Sequence, residues 1–258
     1  MNKYYKSLLY FHQGFTDIVN CLPLIHYYSH YKSNLDVIVR IDARDFIEYT
    51  CRGLKNVSFI YLDKLILDNT VDFSKIIPEY EEYEILFHGG HDIMRNDSYR
   101  GIWGHNVSDK SHFVKKFYKL YNISIEESIS LFNYERDLNS EIELFNSFKN
   151  IIKKPYIIFH EPSDFDLNVK FRNTSSINVN GLSNNPFLWI QVLQSANELH
   201  LADSFWASVY YLICDKFNMN DNQKVIIYPF NRDGGLYSKR DNRELFYNWK
   251  FNTKKCIF

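Results

Sequence analysis

The stretch Leu8-Leu9-Tyr10-Phe11-His12-Gln13-Gly14-Phe15-Thr16-Asp17-Ile18-Val19-Asn20-Cys21-Leu22-Pro23-Leu24-Ile25 settles the fold class. It opens with an apolar run as long as one buried strand. Gly14 breaks the run, and from Asp17 onward Ile18, Leu22, Ile25 and Tyr28 recur at helical spacing. Strand, tight turn and helix are the opening of an open α/β domain, in which the loop after the first strand faces the ligand crevice. His12, Gln13, Gly14, Thr16 and Asp17 fall in that loop and are site candidates. With a single glycine, the turn lacks the Gly-x-Gly-x-x-Gly geometry of a dinucleotide site.

The alternation continues along the chain. Ser7–His12 reads as the first strand and Asp17–Tyr31 as a helix, with Pro23 predicting a kink or a late start. Leu35–Ile41 is a β-branched second strand. Asp42 is expected to cap a helix over about residues 43–51, stopped by Gly53. Val57–Leu62 and Tyr83–Phe87 are further strands, and strands joined by helices predict a parallel sheet with right-handed crossovers. His88–His112 reads as a long loop, followed by helices over Lys110–Tyr121 and Glu135–Phe148. Asn150–Pro155 resembles a linker. After it come strands Tyr156–His160 and Ser175–Val179, helix Pro186–Ser195, strand Glu198–Leu201, helix Ser204–Cys214 and strand Val225–Tyr228. The expected architecture is α/β, with two Rossmann-like α/β/α domains at 1–150 and 151–258, the second short.

Composition removes several function classes. A net charge of -1 offers no basic face for nucleic acid. Four scattered cysteines, Cys21, Cys51, Cys214 and Cys256, have no CxxC spacing and predict free buried thiols in a reducing compartment. His12, Gln13 and Asp17 interrupt the N-terminal apolar run too early for a signal peptide. No stretch reaches the roughly 18 apolar residues of a membrane span. The expectation is a cytoplasmic chain with no transmembrane segment, for which peripheral membrane contact stays open. Aromatic residues make up 17%, spread so widely that no single Tyr or Phe marks a site.

Four polar clusters follow strands. In the first, the N-terminus of a helix suits an anion or a catalytic carboxylate, and Asp17 is a candidate general base. The plainer explanation is that Thr16 or Asp17 caps the helix. The second, His88-Gly89-Gly90-His91-Asp92, permits close backbone approach to a ligand and otherwise reads as a turn; its histidines are a weak metal signal. The third, His160-Glu161-Pro162, offers a hydrogen-bonding imidazole and a carboxylate suited to a ribose diol. In the fourth, Asp203 and Ser204 open a helix whose N–H groups suit a diphosphate, and His200 points to the same crevice or into the core. Arg40, Arg95, Arg100, Lys170, Arg172, Arg232 and Arg240 are cations that sequence does not rank.

Together these clusters resemble a known family. Gly14-Phe15-Thr16-Asp17-Ile18-Val19-Asn20-Cys21-Leu22-Pro23-Leu24 is similar to the Gly-x-x-Asp-x-x-x-x-x-Pro opening of heptosyltransferase-like glycosyltransferases, the glycosyltransferase family 9-like group with the GT-B fold. His112–Tyr118 with Phe132–Asp137 resembles the end of the first domain in related sugar transferases. Tyr156–Glu161 and Leu199–Ser204 resemble the crevice motifs of the nucleotide-sugar half. The resemblance implies two domains facing a cleft and an inverting, metal-independent transfer from a nucleotide-diphosphate sugar to a glycan acceptor hydroxyl. It implies no cofactor, Asp17 as base, and an acceptor side at His12, Gln13, Gly14, Thr16, His88, Gly89 and Gly90. His160, Glu161, His200, Asp203 and Ser204 would bind the donor. The alternative is a non-catalytic nucleotide- or glycan-binding protein of the same fold, prompted by Asp164 and Asp166 where a cation is expected near a diphosphate. A third reading, an unrelated hydrolase or phosphatase, lacks a Gly-x-Ser-x-Gly elbow or a paired-carboxylate metal motif.

Overall fold

Strand Lys6–Phe11 (β1) forms where Leu8, Leu9 and Tyr10 are all buried, a pattern that requires cover on both faces of a sheet. The structure is a computed structural model. It describes residues 6–11, 14–63, 73–88, 118, 122–149, 152, 155–160, 175–182, 184–202, 205–214, 216–217 and 223–228. The chain divides into two compact units, Met1–Tyr134 and Glu135–Phe258.

In the first unit, β1 lies between β2 (Leu35–Arg40) and β4 (Tyr83–His88), and β3 (Val57–Leu62) flanks β2. Every pairing is parallel, in the order β3-β2-β1-β4. The N-terminal edge is held by polar contacts. Glu84 accepts from Ser7 Oγ at 3.1 Å and from Lys32 Nζ at 2.7 Å, and the Tyr83 phenol donates to Asp36 at 2.6 Å.

Helix α1 (Phe15–Tyr31) begins two residues before the expected start. Pro23 neither delays nor ends it. An interior proline costs about 3 kcal/mol. Ile18 through His26 are all buried, and each large apolar side chain returns roughly 1.5–3 kcal/mol. The Asp42 cap is not observed. Ile41–Ala43 is a 3-10 turn, α2 (Arg44–Cys51) has Ala43 as its N-cap, and Asp42 pairs instead with Arg40. A short helix, α3 (Ile125–Leu131), packs against α1; Ser124 Oγ caps it by accepting from the Glu127 N–H at 3.2 Å. The spacing Ser124-x-x-Glu127 was a legible capping signal.

His26 ties this unit together. Its Nδ1 accepts from the Asn133 N–H at 3.3 Å, so its Nε2 carries the proton and donates to the Thr50 carbonyl at 3.1 Å. One neutral tautomer thus joins α1, the end of α2 and the segment after α3.

The second unit contains β5 (Tyr156–His160), β6 (Ser175–Asn178), β7 (Glu198–Ala202) and β8 (Lys224–Tyr228). They too are parallel, in the order β6-β5-β7-β8. Helix α4 (Leu138–Lys149) starts three residues later than expected, because Asp137 Oδ1 accepts from the Ser140 N–H at 3.0 Å. It packs on α5 (Ile190–Ser195) and on the 3-10 turn Pro186–Trp189 before it. Phe148 lies 5.1 Å from Trp189, and Trp189 lies 5.7 Å from Trp206 of α6 (Phe205–Cys214). The buried Gln223 amide donates to the Leu193 and Ala196 carbonyls at 2.6 and 2.8 Å, satisfying the end of α5. The mixed α/β class and the parallel sheets follow the sequence pattern.

Candidate functional site

The strand orders decide where each unit can bind a ligand. In the first sheet the chain runs from β1 outward through β2 to β3 on one side and then crosses to β4 on the other side of β1. In the second, β5 is flanked by β6 and β7 in the same way. Ligands of open α/β sheets bind beyond the carboxyl ends of strands where that reversal occurs. The register Phe11↔His88 sets the ends of β1 and β4 side by side, so the chain leaves the two strands at adjacent points. The register His160↔Leu201 does the same for β5 and β7. All four sequence clusters therefore start at a switch point.

Around β1, Gly14 is the N-cap of α1 and, having no side chain, makes no side-chain cap hydrogen bond. Gly14 O accepts from the Ile18 N–H at 2.9 Å. Thr16 and Asp17 lie in the first turn, half-buried, with neither in the cap position. The Asp17 charge favours the positive end of the helix. Arg40, at the end of β2, lies 4.4 Å from the Phe15 ring and is paired with Asp42. Of the cations that sequence left unranked, this one stands beside the first turn of α1. His12, Gln13, Gly89 and Gly90 lie outside the described residues; so does the His88 side chain, although its backbone ends β4.

The nearby thiols are not nucleophiles. Burial, helped by the Asp17 charge, raises the Cys21 thiol well above its ordinary value. Burial pushes Cys51 up to about 12 against the lowering effect of the Thr50 hydroxyl. Both are free and buried, as expected for these two.

In the second unit, His160 is the last residue of β5 and is 6% exposed. Burial lowers its imidazole to about 4, so at neutral pH it is an uncharged hydrogen-bonding group. His200 is placed differently. It aligns with Phe159 and not with His160, so the two histidines occupy opposite faces of the sheet. Its Nε2 lies 3.1 Å from Glu198 Oε2, toward the start of β7, and Lys224 Nζ meets the same carboxylate oxygen at 3.1 Å. Burial lowers His200, and the Glu198 hydrogen bond opposes this only in part. Burial alone would raise the Glu198 carboxyl; the bonds from His200 and Lys224 outweigh it and hold the group below its ordinary value. The contact is therefore a neutral N–H donated to a carboxylate. Glu161, Asp203 and Ser204 lie outside the described residues. Among the described residues no group of three or more His, Cys, Asp or Glu could hold a metal ion. None of their helices is long and apolar enough to cross a membrane.

No protein-family model and no curated protein matches the chain. Among solved structures it is similar to the crystal structure of the glycosyl transferase family 9 from Veillonella parvula DSM 2008. The TM-score is 0.53 at 11% identity, covering 90% of this chain and 83% of that chain. The likeness is one of fold, and it assigns no role to a side chain.

Sequence reasoning gave no special place to Asn20. Its buried amide nitrogen has no hydrogen-bond partner, one turn after Asp17. The Gly14–Asp17 spacing draws attention to the loop, while burial of Asn20 depends on α1 being covered nearly all round.

Proposed function

We propose that the protein transfers a glycosyl group from a nucleotide-diphosphate sugar to an acceptor hydroxyl of a glycan or lipid-linked glycan. The observation that carries the reading is the pair of registers, Phe11↔His88 and His160↔Leu201. They start the candidate acceptor-side loops and the candidate donor-side loops at the switch points of two parallel sheets. The fold-level likeness to a glycosyltransferase structure over most of the chain supports the same reading.

In this proposal residues 1–150 bind the acceptor and residues 151–258 bind the donor, in the GT-B manner. Asp17 takes the proton of the acceptor hydroxyl. The oxygen attacks the anomeric carbon from the face opposite the diphosphate. The carbon–oxygen bond to phosphate breaks, the nucleoside diphosphate leaves with the electron pair, and the configuration inverts. Such a displacement needs an in-line base and positive potential at the leaving group. Helix N-termini supply that potential without a metal or other cofactor, and Asp203 and Ser204, which directly precede α6 in the chain, are the proposed donor contacts there. His160, uncharged at neutral pH, suits a base or ribose hydroxyl better than a phosphate. Glu161 suits the ribose diol, and His200 is a more distant donor-side residue. On the acceptor side stand His12, Gln13, Gly14, Thr16, His88, Gly89 and Gly90.

The test is transfer from a panel of nucleotide sugars by the purified full chain, beside Asp17→Asn. Loss of at least about a hundredfold in turnover with donor binding retained is expected for removal of a general base. The second reading is a non-catalytic nucleotide- or glycan-binding protein of this fold. It is favoured by Asp164 and Asp166, which put negative charge soon after His160-Glu161 in the chain. Saturable nucleotide-sugar binding without transfer to any acceptor would select it.

A further inference from the structure

Asn20 follows Asp17 by three positions on α1, the spacing that places two residues on one helix face. It is 1% exposed. Its main-chain carbonyl accepts a hydrogen bond from the Tyr118 phenol at 2.9 Å. Its side-chain amide nitrogen is buried and has no partner. Native proteins keep few such donors, because a buried N–H without an acceptor forfeits its hydration for nothing. A water-sized cavity is one remedy, and an acceptor brought to the donor is another. Side chains of a helix lean toward its N-terminus. The Asn20 amide therefore leans over the turn that carries Thr16 and Asp17. The N-cap of that turn is Gly14, which has no side chain. Asp17 is the acidic residue one turn back along this face, and its charge is felt at the neighbouring Cys21.

We propose that Asn20 is the positioning residue for Asp17, its amide donating to one carboxylate oxygen so that the other is held toward the ligand crevice. The inference rests on the reading of Asp17 as the base. The pairing forms by side-chain rotation within one helical turn. It fixes the direction from which the carboxylate meets an acceptor hydroxyl, and orientation of that kind governs turnover more than affinity. Asn20 itself touches no substrate.

The experiment follows the Asn20 side-chain amide by NMR in the full wild-type chain and in Asp17→Asn, which also assigns the effect. The Asn20 amide protons are expected to move as the carboxylates titrate, and that movement is expected to vanish in Asp17→Asn. Amide protons that ignore pH, or that move equally in both proteins, overturn the inference and leave an enclosed water as the partner. Asn20→Leu supplies a second readout. Leucine keeps the volume and removes the lone donor, so the unliganded melting temperature should hold or rise. Turnover should fall by about tenfold or more at a nearly unchanged acceptor KM. Wild-type kcat in a folded Asn20→Leu protein contradicts a positioning role. If the leucine variant does not fold, the amide titration in the wild-type protein still decides. Absence of transfer by the wild-type chain sinks the transferase reading, whereas the NMR comparison judges Asn20 separately.

Discussion

His160 shows how one buried side chain links the second sheet to pH. Folded, its imidazole is held by burial at about 4, against an ordinary 6.5. Between those values the unfolded chain binds more protons than the folded one, so stability falls as pH drops from 6.5 and levels off below 4. A shift of this size in a group 6% exposed corresponds to about 3 kcal/mol. His200, also lowered by burial, adds in the same direction. Glu198, held below its ordinary value, loses its contribution only as pH falls through its folded value. The melting temperature should therefore decline between pH 6.5 and 4, and His160→Gln should flatten the decline. An equal slope in both proteins would show that His160 is not the group responsible. Sequence placed both His160 and His200 on the donor side and left His200 either at the crevice or in the core. Their separation onto two faces depends on the β5–β7 register, which a strand's own residues do not encode. Arg40 was one cation among several in the sequence, and only the packing of Phe15 beneath its guanidinium distinguishes it.

Among elements, the strands were the most legible. Short apolar runs rich in β-branched residues located all eight described strands to within about a residue. Helix starts were less legible, since they turn on single hydrogen bonds. Asp137 rather than Glu135 opens α4, and Asp42, the expected cap of α2, is drawn away by Arg40. Helix α3 escaped notice because seven residues carry too short a period, yet its capping serine is visible in retrospect. That cap gives an element-scale prediction. Ser124→Ala should cost about 1 kcal/mol, and a drop of roughly 2–4 °C in melting temperature is expected for a chain of this size. A change within error would mean that α3 is held by its contacts with α1 alone. Asp17 belongs to the same lesson. Its place in the first turn, and not at the cap, is a property of where α1 begins.

For the whole molecule, two parallel sheets with their candidate loops at switch points make ligand binding the expected coupling between fold and function. A nucleotide sugar that binds only the folded chain must stabilise it, by about 2.7 kcal/mol at a hundredfold excess over Kd. The melting temperature should rise with the right donor, and EDTA should not abolish the rise. A shift that disappears with EDTA would contradict metal-independent binding. Asp17→Asn should keep the shift, since the proposal assigns Asp17 to the acceptor. The most direct measurement of the central claim is product formation by mass spectrometry, from a nucleotide-sugar panel and glycan acceptors, with wild type and Asp17→Asn side by side. A glycosylated product and free nucleoside diphosphate are expected from the wild type, with a loss of about a hundredfold or more in the variant. Equal product from both proteins, or none from the wild type with any donor that binds, would rule out glycosyl transfer with Asp17 as base.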